Sequence, residues 1–313
     1  MYYLILVGAT LLLAGNFVAN KVYQSKCGTG IKTGLFFNLG ISVIALILFL
    51  CLSKFKVAFT PFSFLMTAGV SICAMAYTII GFRIMKKGNM AIYTLFLMSG
   101  GTVLPYLFGL IFLGEQVSVL RIIGIVLIIL AIVLANISKE KLDFKMLLSC
   151  IAVFILNGVL GIFSSLNQKG ADLYGFETID SYSFIVYGNL VKIGVSLVAL
   201  AVLFIAQKLR KNDTSEEKDD ATANKKSDTL DKKTIVIIAL TIVASAIFDG
   251  IGYLLQLTAL PHLPASVQYP FLTGGSMIAT TLAGIVFFRD KPKKMTLISI
   301  ALCFVSLFLF LEF

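Results

Sequence analysis

Two ionisable residues, Lys192 and Asp249, lie deep inside long apolar stretches of this 313-residue chain. A charge in a bilayer costs at least about 2.5 kcal/mol on insertion scales, so such residues face a cavity or a partner and mark function by default. Lys192 is 11 residues in from Ser181, and Asp249 is 10 residues before Ala259. Both counts start from the same membrane face, which at about 1.5 Å per residue puts both near the midplane, about 15 Å down. An ammonium and a carboxylate at one depth can hold the carboxylate and the amine of a zwitterion. They can also exchange partners when a proton binds Asp249, which would couple transport to protons. Adjacent antiparallel helices would instead bring the two together as a static ion pair that fixes the fold without touching substrate. At the level of sequence both readings stand.

Polar companions are spread along the chain. Asn16, Asn38, Asn157 and Asn189 sit one each in the first, second, sixth and seventh apolar stretches. Such side chains either bind substrate or hydrogen-bond a neighbouring helix, worth about 0.6 kcal/mol each. Gln256, Gln268 and Tyr269 in the second half, with Tyr93 and Thr94 in the first, are further candidates for cavity polarity, although Tyr also anchors spans at the interface. Gly100, Gly101, Gly274 and Gly275 read as sites of close helix approach, and Pro105 and Pro270 as bends around a cavity. Glu115, in a tight interhelical turn, reads as a cap for the next helix. His262 stands alone in a Pro-flanked loop, so no metal is expected. Cys27, Cys51, Cys73, Cys150 and Cys303 are scattered singly, as packing residues are. No phosphate-binding loop, nucleophile elbow or HExxH pattern is present. The expectation is a non-enzymatic protein without cofactor and without ATP-driven pumping.

The elements that must position these residues are membrane spans. Hydrophobic residues make up 58% of the chain and charged residues 13%, and the mean hydropathy is +0.97. Ordinary globular domains carry about 25% charged residues. Ten stretches reach the roughly 20 apolar residues that cross a bilayer: 2–20, 33–52, 60–82, 89–113, 118–136, 146–167, 181–207, 234–258, 265–288 and 294–312. The apolar start, Met1 to Ala19, lacks a basic leading region and is expected to be the first span, not a signal peptide. Short connections predict consecutive helices as antiparallel neighbours. The exception, 208–233, holds eight basic and seven acidic residues and is expected to be a disordered loop. The net charge of +10 comes from residues beside the connections, which implies lipid headgroups and not nucleic acid as the partner.

The spans fall into two sets of five. Ala91 and Ser99-Gly100-Gly101 in the fourth span match Ala265 and Thr273-Gly274-Gly275 in the ninth. One residue of slip then places Gly109 on Gly284 and Glu115 on Asp290. Phe37-Asn38-Leu39 echoes Gly188-Asn189-Leu190 more faintly. The halves are therefore 1–138 and 139–313. Five spans per half forces the second to enter the membrane inverted, the architecture of carriers that rock about a central site. Odd-numbered connections hold 21 Lys and Arg against four in the even-numbered ones, which predicts odd connections in the cytoplasm and both termini outside.

The order of these features resembles the drug/metabolite transporter superfamily, in its EamA-like ten-helix branch. The resemblance is carried by Gly15-Asn16-Phe17-Val18-Ala19 with Lys21 after it, by Leu113-Gly114-Glu115, and by Arg121-Ile122-Ile123-Gly124-Ile125 opening an apolar fifth span. Ala14 stands where that family often has Trp. The resemblance implies an all-α integral membrane protein of ten transmembrane helices, as two inverted five-helix repeats around a central cavity, with the fifth and tenth helices peripheral. It further implies small metabolites as substrates, often amino acids exported from bacteria, and both termini in the cytoplasm. That last point opposes the loop charges, so orientation stays open. The expected function is a secondary transporter in the cell membrane, an exporter of small polar or zwitterionic metabolites by alternating access. A lipid-head-group flippase and a non-transporting membrane sensor or scaffold are the alternatives. The sequence leaves the oligomeric state undetermined.

Overall fold

A computed structural model describes residues 1–28, 30–86, 90–115, 118–137, 144–213, 231–289 and 294–310. Among these residues the protein is all-helical: α1 (Tyr2–Cys27), α2 (Ile31–Leu52), α3 (Pro61–Lys86), α4 (Met90–Phe112), α5 (Val119–Ile137), α6 (Phe144–Tyr174), α7 (Ser181–Asp213), α8 (Lys232–Ala259), α9 (Ala265–Phe288) and α10 (Lys294–Phe310). Hydrocarbon offers the backbone no water, so apolar runs of this length close their hydrogen bonds internally as helices. Seven of the ten, α1, α2, α3, α6, α7, α8 and α9, are long and apolar enough to cross a membrane. In α4, α5 and α10 the described apolar runs are shorter, Phe96–Phe112, Val119–Ala131 and Leu297–Ser306. The chain is a multi-pass helical membrane protein. The boundary at 138/139, residues 214–230 of the charged connection, Asp290 and the side chain of Thr94 lie outside the described residues.

The helices do not pack in sequence order. α1 packs chiefly on α8 and α9, and α6 on α3 and α4; α2 lies on α7, α4 on α9, and α5 on α10. Smaller contacts join α3 to α7 and α2 to α8. Exchanging each helix for the one five places along returns the same set of partners for these pairs. The expected close neighbourhood of α7 and α8 is not found, since they touch only slightly. The reason lies in side-chain size. A Cβ on Gly15 of α1 would stand 3.1 Å from the Phe248 ring, and one on Gly252 of α8 would stand 3.3 Å from Leu12 and Leu13. These glycines let α1 and α8 approach closely, and that leaves α7 to pack on α2 and α3.

Two ends of the bundle can be told apart by what meets there. At the Met1 end, the Tyr2 ring stacks on His262 with centroids 4.1 Å apart. Ile179, in the α6–α7 connection, donates its N–H to Ser63 Oγ at the start of α3 (3.1 Å). Ala58, between α2 and α3, donates to Ser183 Oγ of α7 (3.0 Å). The opposite, Gly28 end brings Lys32 of α2 to Gln207 of α7 and sets the Lys21 ammonium 4.2 Å from the Phe288 ring centroid. His262 is exposed apart from this stack, and no group of three metal-ligating side chains occurs among the described residues.

The closest backbone approach is at Gly100, where a Cβ would lie 2.0 Å from the Phe154 carbonyl oxygen. Gly100→Ala should therefore push α4 off α6 and cost about 1–3 kcal/mol, as overpacking does. Gly194 of α7 has nothing within 4 Å of a Cβ, so Gly194→Ala should be neutral or slightly stabilising. Thermal unfolding of both variants in detergent checks the contrast, and equal effects would refute the packing.

Candidate functional site

A cavity of about 250 Å³ lies between α1–α4 and α6–α9, and among the described residues α5 and α10 do not line it. Asp249 and Lys192 both line it. α8 presents Asp249 towards α1, because the glycine contacts bring those helices together. There Asn16 Nδ2 donates to Asp249 Oδ1 at 3.0 Å. A hydrogen bond to a charged group of this kind is worth about 1.5–3 kcal/mol. The static Lys192–Asp249 ion pair is absent. Among the described residues the ion pair observed is Lys169–Glu115, and Lys192 makes neither an ion pair nor a hydrogen bond. The slight contact of α7 with α8 explains this. The two charges face one cavity from different walls, one held by an amide and the other free to meet a ligand.

Most of the remaining sequence candidates gather here. Asn16, Asn38, Asn157, Gln256, Tyr269 and Tyr93 all line the cavity. Two of the asparagines are partly spent on backbone: Asn157 Nδ2 donates to Leu97 O of α4 at 2.7 Å, and Asn38 Nδ2 to Gly34 O at 3.0 Å. Two candidates are not cavity residues. Asn189 is buried and its amide bonds back to Ile185 O of its own helix at 2.9 Å. Gln268 is fully buried in the first turn of α9, donating to Gln256 O at 2.6 Å. Each spends its amide donor on a backbone carbonyl, as polar side chains in hydrocarbon do.

Sequence reasoning missed Tyr77, Tyr253 and Thr273, which also line the cavity. Tyr77 and Tyr253 both lie within electrostatic reach of the Asp249 carboxylate. Tyr253 stands four residues after Asp249, so the two share one helix face, a signal present in the sequence. Its hydroxyl pairs with Ser164 Oγ of α6 at 2.8 Å. The Thr273 and Thr102 hydroxyls meet across α9 and α4. Nothing in the sequence marked Tyr77 apart from its place in a span.

The cavity is not symmetric between the two ends. Towards the Gly28 end its lining continues to Lys21 and Gln24 of α1. Towards the Met1 end it runs to Gln256 and Tyr269, both buried; the Tyr269 hydroxyl donates to Gly161 O (2.6 Å) and accepts from Ser165 Oγ (3.2 Å). Beyond Tyr269 stands Glu115. It does not cap α5, the next helix; it accepts from the N–H groups of Ala265 (2.6 Å) and Ser266 (2.9 Å) and so caps α9. The turn after α4 sends the side chain away from α5, and the start of α9 supplies the unpaired amides that a carboxylate seeks.

Fold and site together define a multi-pass helical membrane protein with a polar, charge-lined cavity enclosed by eight helices. No family model and no curated protein matches the sequence. Twenty-eight chains of solved structures match by fold. One of them, described only as "Crystal structure of protein", aligns over 98% of this chain and 95% of its own length, with a TM-score of 0.58 and 14% identity. At that identity the likeness is one of fold.

The placement of α7 makes a direct prediction. In a cysteine-free background, Lys192→Cys should react with a small polar thiol reagent at least about tenfold faster than Asn189→Cys, because thiol reactivity follows access. Comparable rates would place Lys192 outside the cavity.

Proposed function

We propose that this chain is a secondary transporter of small zwitterionic metabolites, amino acids among them, working by alternating access. In this reading the ten helices are ten spans, arranged as two inverted repeats of five in the manner of the drug/metabolite transporters. The observation that carries it is a cavity among the helices lined by a carboxylate and an ammonium that do not pair with each other. A pair serving only the fold would be closed on itself, because a lone buried charge is costly. Lys192 offers a cation to a substrate carboxylate. Asp249, oriented by Asn16, offers an anion to a substrate amine.

Two further observations support the reading. The partner set α1–α8, α6–α3, α2–α7, α4–α9 and α5–α10 maps onto itself when the halves are exchanged, as duplicated inverted carriers require. The cavity reaches one end of the bundle and is closed at the other, the asymmetry of a carrier resting in one of its two states. The end it reaches carries the basic odd-numbered connections.

Flux of a labelled amino-acid mixture into proteoliposomes tests the proposal. Wild type should give saturable flux, and Asp249→Asn should lower it at least about tenfold, equivalent to ~1.4 kcal/mol of lost interaction, with its elution profile unchanged. Unaltered flux in Asp249→Asn would remove Asp249 from the mechanism. No flux of any amino acid, with movement of labelled lipid headgroups instead, would replace the reading by a flippase.

A further inference from the structure

The Met1 end of the cavity is closed around one side chain. α4 finishes in a left-handed turn at Gly114 (φ 64°), a common helix ending, and the Glu115 N–H reaches back to Gly109 O at 3.1 Å. The Glu115 side chain lies back along α4, against Gly109. Gly109 makes the room, since a Cβ there would stand 2.7 Å from the Glu115 carboxylate. The carboxylate meets the first two amides of α9, and its Oε1 lies 3.4 Å from Lys169 Nζ of α6. Arg121 of α5 joins through Nη1, which donates to Ser266 Oγ at 3.1 Å. The Glu115 side chain is only 9% exposed.

What sets this cap apart is which bodies it joins. α3, α4 and α6 pack together as one trio, and α1, α8 and α9 as another. The Glu115–Lys169 pair lies within the first trio, while both amide bonds cross to the second. The other hydrogen bonds seen to join the trios are Tyr269 to Gly161, Ser165 to Tyr269, Ser164 with Tyr253, and Thr102 with Thr273. All lie at the midplane or on its Met1 side. Of these, only the Glu115 bonds carry a formal charge, which makes them the strongest of the set. On the Gly28 side the trios meet through apolar side chains, Phe17 and Met277 against Met98, beside the cavity.

We propose that the Glu115 carboxylate is a latch between the two trios. Bound to the first amides of α9, it holds the cavity shut at the Met1 end, and its release from those amides is what permits opening there. Lys169 keeps the carboxylate in place on its own trio, and Gly109 and Gly114 shape the seat. Use of the latch in transport rests on the alternating-access reading, but its existence is testable without flux.

The test measures access in purified, cysteine-free protein. Ser165 is fully buried and lies one helical turn from Gly161 on the closed side, so Ser165→Cys should react slowly with a polar maleimide. Adding Glu115→Gln should raise that rate at least about tenfold by shifting the population towards the open state. A second variant, Ala265→Pro, removes one latch donor and leaves the carboxylate intact. The first helical position tolerates Pro, and Pro264, at ψ 139°, already has the conformation a following Pro requires. It should raise the rate too, and it decides the matter if Glu115→Gln does not purify as a monodisperse protein. Ala131→Cys, fully buried on α5, is the control. A rate at Ser165→Cys that stays within about twofold of the parent in the variants overturns the latch, as does an equal rise at Ala131→Cys, which would report general loosening. Parallel flux measurements separate the two claims: faster labelling in a protein with no flux keeps the latch and sinks the transport reading, whereas normal flux with unchanged labelling sinks the latch alone.

Discussion

A carboxylate in the middle of an apolar bundle must be solvated by the protein or by a water-filled space, and much of this structure is arranged around meeting that need for Asp249. Asn16 answers from α1, which requires α1 and α8 to approach closely. That approach in turn requires small residues such as Gly15 and Gly252 at their contact. With α8 engaged by α1, α7 is left to pack on α2 and α3, and Lys192 is carried to a separate wall. The polar cavity thus follows from the separation of two charges by helix packing.

The same logic orders the trio of α3, α4 and α6. Asn157 of α6 bonds to the backbone of α4, and Gly100 lets the two backbones touch. Tyrosine and serine hydroxyls then join the trios at the midplane and above it, where the space is narrow. The asparagines along this path either face the cavity or turn their amides to backbone. That division separates Asn16 and Asn157, which reach the cavity, from Asn189, which turns back on Ile185.

Much of this was legible in the sequence. Hydropathy located the helices, although α1, α6 and α7 run on past their apolar cores to Cys27, Tyr174 and Asp213, because hydrogen bonding continues a helix beyond the hydrocarbon. Depth counting brought Lys192 and Asp249 to one cavity. The i, i+4 relation of Asp249 and Tyr253 was readable but is not distinctive among so many aromatic residues. What the sequence could not reveal was which helices meet, since that depends on glycine faces matching across more than two hundred residues. For that reason the partner of Asp249 proved to be Asn16, and Glu115 proved to cap α9 instead of α5.

The crossed trios also bear on how the protein is made. Asn16 and Asp249 are 233 residues apart, and at about 5–20 residues per second a ribosome needs roughly 10–50 s to span that interval. Throughout that time α1 rests in the bilayer without the helix it is shaped to meet, with Gly8, Gly15 and Asn16 unmatched. Neither half of the chain can complete a trio alone, so assembly has to wait until α8 and α9 have been inserted. The first helix is therefore the part of this molecule most exposed to early quality control, long before any cavity exists.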